Sequence, residues 1–201
     1  MDITSLNNTL RFESEIFVGD YSEYSKDNPC CPYNGVMIAN MPLQYIAFLH
    51  IHNPIHIPVL GVNFESNLDI FRHQDGSLIS NCECMFISDK SCKKGWLLLV
   101  ELKYWSGSKK RLRLNLKKAV SQLESSFLQL SNTKLFFDQR EYRCAWVVSL
   151  PGHDELIPFS SFFANPDLLL DYKEKYDVDI FTDNQLTILS HEFIVAGAMD
   201  F

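Results

Sequence analysis

Trp96-Leu97-Leu98-Leu99-Val100 is an unbroken apolar run that leads straight into Glu101-Leu102-Lys103. A short run without polar alternation, followed by a charged exit, reads as the most deeply buried strand of a layered fold. Side chains alternate along a strand, so Glu101 and Lys103 project from one face while Val100 and Leu102 point the other way. A carboxylate and an ammonium at the end of such a strand can be a plain ion pair. They can also be half of a site, in which the carboxylate holds a divalent cation and the lysine steadies an attacking water.

The flanking pattern predicts what surrounds that strand. Asn67 to His73 reads as a strand, Gln74-Asp75-Gly76-Ser77 as a turn, and Leu78 to Ser88 as the returning strand, because Asp-Gly is a strong hairpin signal. Asp89 to Gly95 then turns the chain into a third strand, Trp96 to Trp105. After Ser106-Gly107-Ser108 the period changes from two to about 3.6. Leu112, Leu116, Ala119, Val120, Leu123, Phe127 and Leu130 fall on one stripe of an amphipathic helix reaching about Ser131. Arg143 to Leu150 is a further buried strand, closed by Pro151-Gly152. A helix is expected from Asn165, a fair cap, through Pro166 to Tyr176. Val178 to Phe181 and Gln185 to Leu189 read as a short hairpin around Thr182-Asp183-Asn184. Upstream, Asn28 to Gly35 is a loop by its turn chemistry, and Met41 to Ile51 is a buried helix or strand stopped by Pro54 and Pro58. Ile3 to Phe17 carries apolar residues too sparsely to assign. The expected class is α/β or α+β, a mixed β-sheet flanked by helices.

A chain of 201 residues suits a single domain over 1–201. No run approaches the roughly 18 apolar residues of a membrane span, and Met1-Asp2-Ile3-Thr4 does not open a signal peptide. The expectation is a cytoplasmic protein without a membrane partner. Its six cysteines are then reduced thiols acting as small hydrophobes. Cys82 and Cys84 lack zinc-knuckle spacing and have no second pair to complete four ligands.

Charge is spread unevenly. Lys90 to Lys118 holds ten of the 18 basic residues and one acid, leaving 8 basic and 24 acidic residues elsewhere. An acidic body with one basic strip can meet a polyanion locally and repel it elsewhere. The bland alternative is a solvated helix face. Glu83, in Asn81-Cys82-Glu83-Cys84-Met85-Phe86-Ile87, stands among apolar or small neighbours on the strand expected to pair with the Glu101 strand. A hairpin across Asp89–Gly95 brings the two carboxylates within one or two cross-strand positions. Two such acids repel unless a cation or Lys103 lies between them, and Mg²⁺ suits one or two carboxylates with water in its other positions.

An acid, a hairpin, Glu-x-Lys and then a helix resemble the PD-(D/E)XK nuclease superfamily, over residues 67–150, with 1–66 and 151–201 as elaborations. The resemblance implies a restriction-endonuclease-like core in which Glu83 and Glu101 bind Mg²⁺ or Mn²⁺ and Lys103 positions the nucleophilic water. Gln122 matches a supporting glutamine on the following helix in one branch of that family, although Ser126 stands where a tyrosine often follows. Glu83 departs from the usual Asp, and no Pro-Asp pair precedes it. The family's N-terminal glutamate has three candidates here, Glu13, Glu15 and Glu65. Lys109, Lys110, Arg111, Arg113, Lys117 and Lys118 would grip phosphates of a nucleic acid, DNA in the first instance, and Tyr104 and Trp105 could stack on a base.

The competing class is a non-catalytic protein on the same fold. In it Glu83, Glu101 and Lys103 form a buried ion-pair cluster, and the acidic surface binds a protein partner or a second copy of the chain. His50-Ile51-His52 with His56 also invites a metal reading, because i and i+2 share one strand face. No Asp or further His follows at metallohydrolase spacing. Cys144 has no adjacent His to make it a nucleophile, and the scattered glycines form no phosphate-cradling motif.

Overall fold

The apolar run becomes the middle of a six-stranded sheet. The structure is a computed structural model and describes residues 6–89, 93–104, 109–132, 141–152 and 166–199, with the backbone alone at 109–111, 113 and 166–168. The first half of the chain forms β1 (Thr9–Phe12), β2 (Ile16–Asp20), α1 (Ser22–Asp27), β3 (Val36–Ala39), β4 (Leu49–His52) and β5 (Val59–Asn63). A 3-10 segment, Phe64–Ile70, leads to β6 (Cys84–Ser88), β7 (Lys94–Leu102), α2 (Lys109–Asn132) and β8 (Glu141–Ser149). Then come α3 (Pro166–Tyr176), β9 (Val178–Phe181), β10 (Gln185–Ile188) and β11 (Ile194–Ala196). The class is α+β, with two mixed sheets flanked by few helices.

The six-stranded sheet has the order β1-β5-β6-β7-β8-β9, and the five-stranded sheet β11-β10-β4-β2-β3. In the first, β5, β6 and β7 pair antiparallel in succession, and β7 pairs β8 in parallel. A parallel pair needs a crossover, and the connection here carries α2. Leu97 and Leu99 face the helices, packing with Leu112, Leu116, Ala119, Val120 and Leu123 of α2. Trp96, Leu98, Val100 and Leu102 face the five-stranded sheet and meet Val18, Leu49, Ile51 and Leu186. Both faces of β7 are therefore dry, which is why its sequence does not alternate. Burying each such leucine stabilises the fold by about 1.5–3 kcal/mol. The outer face of the second sheet is covered by Tyr21, Leu43, Tyr24, Tyr33, Ile46 and Phe48.

The predicted stripe on α2, the buried β8 and the helix ending at Tyr176 are all present; Asn165, the expected cap, lies outside the described residues. Three expectations are corrected. Asn67–His73 is not the first strand of the meander; that place belongs to Val59–Asn63. Asn63 accepts the Glu65 N–H with its side chain and starts the 3-10 segment, so the chain leaves the sheet there. The Asp75-Gly76 turn does form, with Gly76 at φ +84° and Asp75 accepting from the Ser77 N–H, but it closes a single bridge, Arg72 to Leu78. The returning strand begins only at Cys84.

The third correction concerns β9 and β10, which do not form a hairpin. β9 pairs β8 in the first sheet, whereas β10 pairs β4 and β11 in the second. The chain crosses between sheets at Thr182–Asn184. Asn184 fixes the crossing: its Oδ1 accepts from Ser149 Oγ and Leu150 N–H, its Nδ2 donates to the Leu150 carbonyl, and its own carbonyl accepts the His50 N–H. Cys82 and Cys84 are both fully buried, in different core layers, and burial pushes both thiols well up, so they stay neutral. Cys30, by contrast, is exposed. Among the described residues no helix is long and apolar enough to cross a membrane.

Candidate functional site

Glu101 lies on the same face of β7 as Leu97 and Leu99, one residue before the strand ends, and is completely buried. Its Oε1 accepts from Lys103 Nζ, while its Oε2 is buried without a hydrogen-bond partner among the described residues. The Lys103 side chain is 14% exposed, and its N–H donates to the Ser149 carbonyl, which prolongs the β7–β8 pairing past the strand end. Burial pushes the Glu101 carboxyl up to about 7 despite Lys103 and, more weakly, Lys118 pulling it down. A carboxylate with one oxygen unpaired in the interior holds a proton more readily than one in water.

Glu83 comes from the other strand of the pair. The register ends at Cys84 opposite Val100, and the charge of Glu101 acts on Glu83, the next residue out. Glu83 is not mid-strand as expected: it precedes β6, and its N–H donates to the Val100 carbonyl instead of continuing the ladder. Its carbonyl accepts the Phe64 N–H. It is half-buried, and its carboxyl is pushed up to about 8, first by burial, then by the charges of Glu101 and Asp20, with Lys103 opposing and Glu65 adding. The charges of three other acids thus act on Glu83, with Lys103 opposing them.

Local structure explains the two acids that join from outside the hairpin. Asp20 ends β2, accepts the Ser22 N–H at Oδ1, and has its own N–H held by the Tyr104 hydroxyl. Glu65 sits in the first turn of the 3-10 segment, and its Oε2 accepts the Val36 N–H. Gly35, at φ +68°, leaves room for that carboxylate, because a Cβ there would collide with it. Glu13 pairs with Arg11 and Glu15 with two histidines, so of the three N-terminal glutamates Glu65 alone reaches Glu83 electrostatically.

Gln122 approaches from α2. Its Nε2 donates to the Asn81 carbonyl, two residues before Glu83, and its Oε1 is buried without a partner among the described residues. One turn further along α2, Ser126 Oγ accepts the Cys82 N–H, which anchors the segment that carries Glu83. The Tyr104 hydroxyl donates to the Ala47 carbonyl and accepts from the Asp20 N–H, so it ties the two sheets together. Trp105 lies outside the described residues.

Comparison with protein-family models, with curated proteins and with solved structures gave no match.

The basic strip is divided in space. Lys94 opens β7, and seven residues at about 3.3 Å each separate it from Glu101 at the opposite end. Lys117 and Lys118 are exposed on α2, and Lys118 is near enough to Glu101 to act on its charge. The side chains of Lys109, Lys110, Arg111 and Arg113 lie outside the described ones, although the backbone places all four in the first turns of α2.

A second cluster has a ligand that the sequence reading did not connect with it. Glu15 Oε2 lies 2.5 Å from His50 Nε2, and its Oε1 lies 2.7 Å from His52 Nδ1. His56 is not part of it, since its Nδ1 meets the Glu13 carbonyl. The i, i+2 histidines were visible in the sequence. Their carboxylate comes from a strand 35 residues upstream in the chain, a pairing that sequence spacing cannot reveal.

Proposed function

We propose that the chain is a metal-dependent phosphodiesterase acting on nucleic acid, DNA in the first instance, with Glu83, Glu101 and Lys103 as its centre and a PD-(D/E)XK-like arrangement. The observation that carries this reading is Glu101 Oε2, a buried carboxylate oxygen without a partner among the described residues, together with a second acid whose affinity for protons is raised. Such a pair fits a hard divalent cation, which replaces the protons the two acids otherwise retain. Glu83 and Glu101 would hold Mg²⁺ or Mn²⁺, with Asp20 and Glu65 adding negative charge around them. When bound, the ion supplies a water of lowered pKa and neutralises charge on the scissile phosphate.

The chain's own residues do the remainder. Lys103, beside Glu101 Oε1, would donate to the attacking water and orient it toward the phosphorus. Its charge would also stabilise the negative charge that develops in the transition state. Gln122 Oε1 would accept a hydrogen bond from that water, whose proton passes to solvent or to a phosphate oxygen. Lys117 and Lys118, with the four basic residues at the start of α2, would contact flanking phosphates, which gives affinity and position without sequence information.

A second reading draws on the Glu101–Lys103 contact itself. The two groups form a closed internal pair, as expected of a non-catalytic nuclease-fold protein that binds a partner. The test is cleavage of single- and double-stranded DNA and RNA in Mg²⁺ or Mn²⁺ by the purified chain and by Lys103→Ala. Metal-dependent cleavage lost in a folded Lys103→Ala supports the enzyme. Failure of the wild type on every substrate discards it in favour of the binding module.

A further inference from the structure

We propose that Glu15, His50 and His52 form a second cation site, selective for a first-row divalent transition metal and best suited to zinc, on the outer face of the five-stranded sheet. This inference is independent of the phosphodiesterase reading, because it uses other residues on another sheet.

The site is built by strand register. β2 and β4 pair antiparallel, with Ile16 opposite Ile51 and Phe17 opposite His50, and the next pair in that series is Glu15 and His52. Leu49 and Ile51 point into the core between the sheets, so His50 and His52 share the outer face. One ligand atom from each of Glu15, His50 and His52 lies within 4.8 Å of the other two. The His50 ring stacks on Phe17, with centroids 4.6 Å apart and planes at 6°, which fixes the direction of its Nε2. Both rings and the carboxylate are about one-third exposed, so a water can complete the coordination.

Donor chemistry selects the ion. Two imidazole nitrogens and one carboxylate are the ligand set of open zinc sites, whereas Mg²⁺ and Ca²⁺ prefer oxygen alone. Without metal, one nitrogen of each imidazole lies against one oxygen of the Glu15 carboxylate. Zinc at about 2.0–2.1 Å from each ligand sets them about 3.3 Å apart. The contacts of 2.5 and 2.7 Å must therefore open by less than 1 Å, and each ring must turn a lone pair toward the ion at the nitrogen that faces Glu15.

The experiment is titration of the full reduced chain with Zn²⁺ by calorimetry and with Co²⁺ by visible absorption. Expected in Glu101→Gln, which removes the other carboxylate pair, is one equivalent of either ion, a cobalt d–d band without the near-ultraviolet thiolate band, and a melting temperature that rises with Zn²⁺. His52→Ala should weaken binding at least about 100-fold and Glu15→Gln at least about 10-fold. Glu15→Gln keeps the size of the side chain and decides the matter should His52→Ala fail to fold. The proposal is overturned if Glu101→Gln binds neither ion, or if its binding survives when a folded change in this cluster is added. A thiolate band, which would assign the ion to Cys30 or Cys31, overturns it as well.

Discussion

Glu15 and Glu101 are both carboxylates at the end of a β-strand, each beside a nitrogen base, and their environments drive them in opposite directions. Glu15 is about one-third exposed and both its oxygens are taken by histidine nitrogens, so its proton affinity falls. Glu101 is fully buried and only one oxygen is taken, by Lys103, so its proton affinity rises. One more donor and a little water reverse the sign. Burial is the leading influence on each, and what differs is whether hydrogen bonds to the charged form overcome it. The first environment favours the anion, and the second favours the protonated carboxyl.

The largest expected effect separates catalysis from folding at the buried acid. Lys103→Ala should lower cleavage in Mg²⁺ by at least about a thousandfold, read from DNA product formation. Circular dichroism should find the variant folded, because a raised Glu101 carboxyl can take up a proton in place of its lost partner. An unfolded Lys103→Ala would mean that the pair is structural.

Next in size is a pH dependence of the metal-free fold. Glu83 and Glu101 rise from 4.5 to about 8 and about 7, so the native state binds more protons than the unfolded chain in that window. Their contribution is fully present below about pH 4.5 and is lost as the pH rises through 7 and 8, on the order of a few kcal/mol in all. Urea unfolding in a chelator at a series of pH values should follow this decline. Mg²⁺ should oppose it on the alkaline side, and the double variant Glu83→Gln, Glu101→Gln should flatten it. A fold whose stability rises over the same window would break the comparison with Glu15.

Ser126→Ala should cost about 1–3 kcal/mol, because the buried Cys82 N–H loses its acceptor. The check is the urea midpoint, with a further drop in cleavage if this anchor sets the position of Glu83. The smallest effect belongs to Glu15→Gln, at most about 1 kcal/mol near neutral pH without metal, since exposed ion pairs are screened. Its sign with pH should oppose that of Glu101: the lowered carboxyl contributes stability above about pH 4.5 that is lost as the pH falls. A Glu15 contribution that grew toward acid would erase the distinction.

The centre of the fold was legible because its signals are local or redundant. The Leu112–Leu130 stripe has helical period, and β7 and β8 are apolar on both faces. The Glu83–Glu101 neighbourhood followed from one hairpin. The second sheet was not legible, since β2 and β4 join β10 and β11 across more than a hundred residues of sequence. Asp20 was missed for the same reason: it reaches Glu83 only because the sheets stack and the Tyr104 hydroxyl holds its backbone. Strand and turn propensities correctly marked Val178–Phe181, Gln185–Leu189 and the bend between them. Propensity cannot say that a chain leaving one sheet enters another, which here depends on the side chain of Asn184.

That crossing at Thr182–Asn184 also sets an order of assembly on the ribosome. β2, β3 and β4 emerge early, yet β4 keeps an open edge until β10, near the end of the described chain, arrives to pair with Gln185 opposite His50. Through most of synthesis a strand carrying Leu49 and Ile51 therefore stands with unpaired amides, the condition that invites pairing with a neighbouring nascent chain. A chain stalled before Gln185 would be a more sticky species than the finished fold, whatever the state of the helices on its other side.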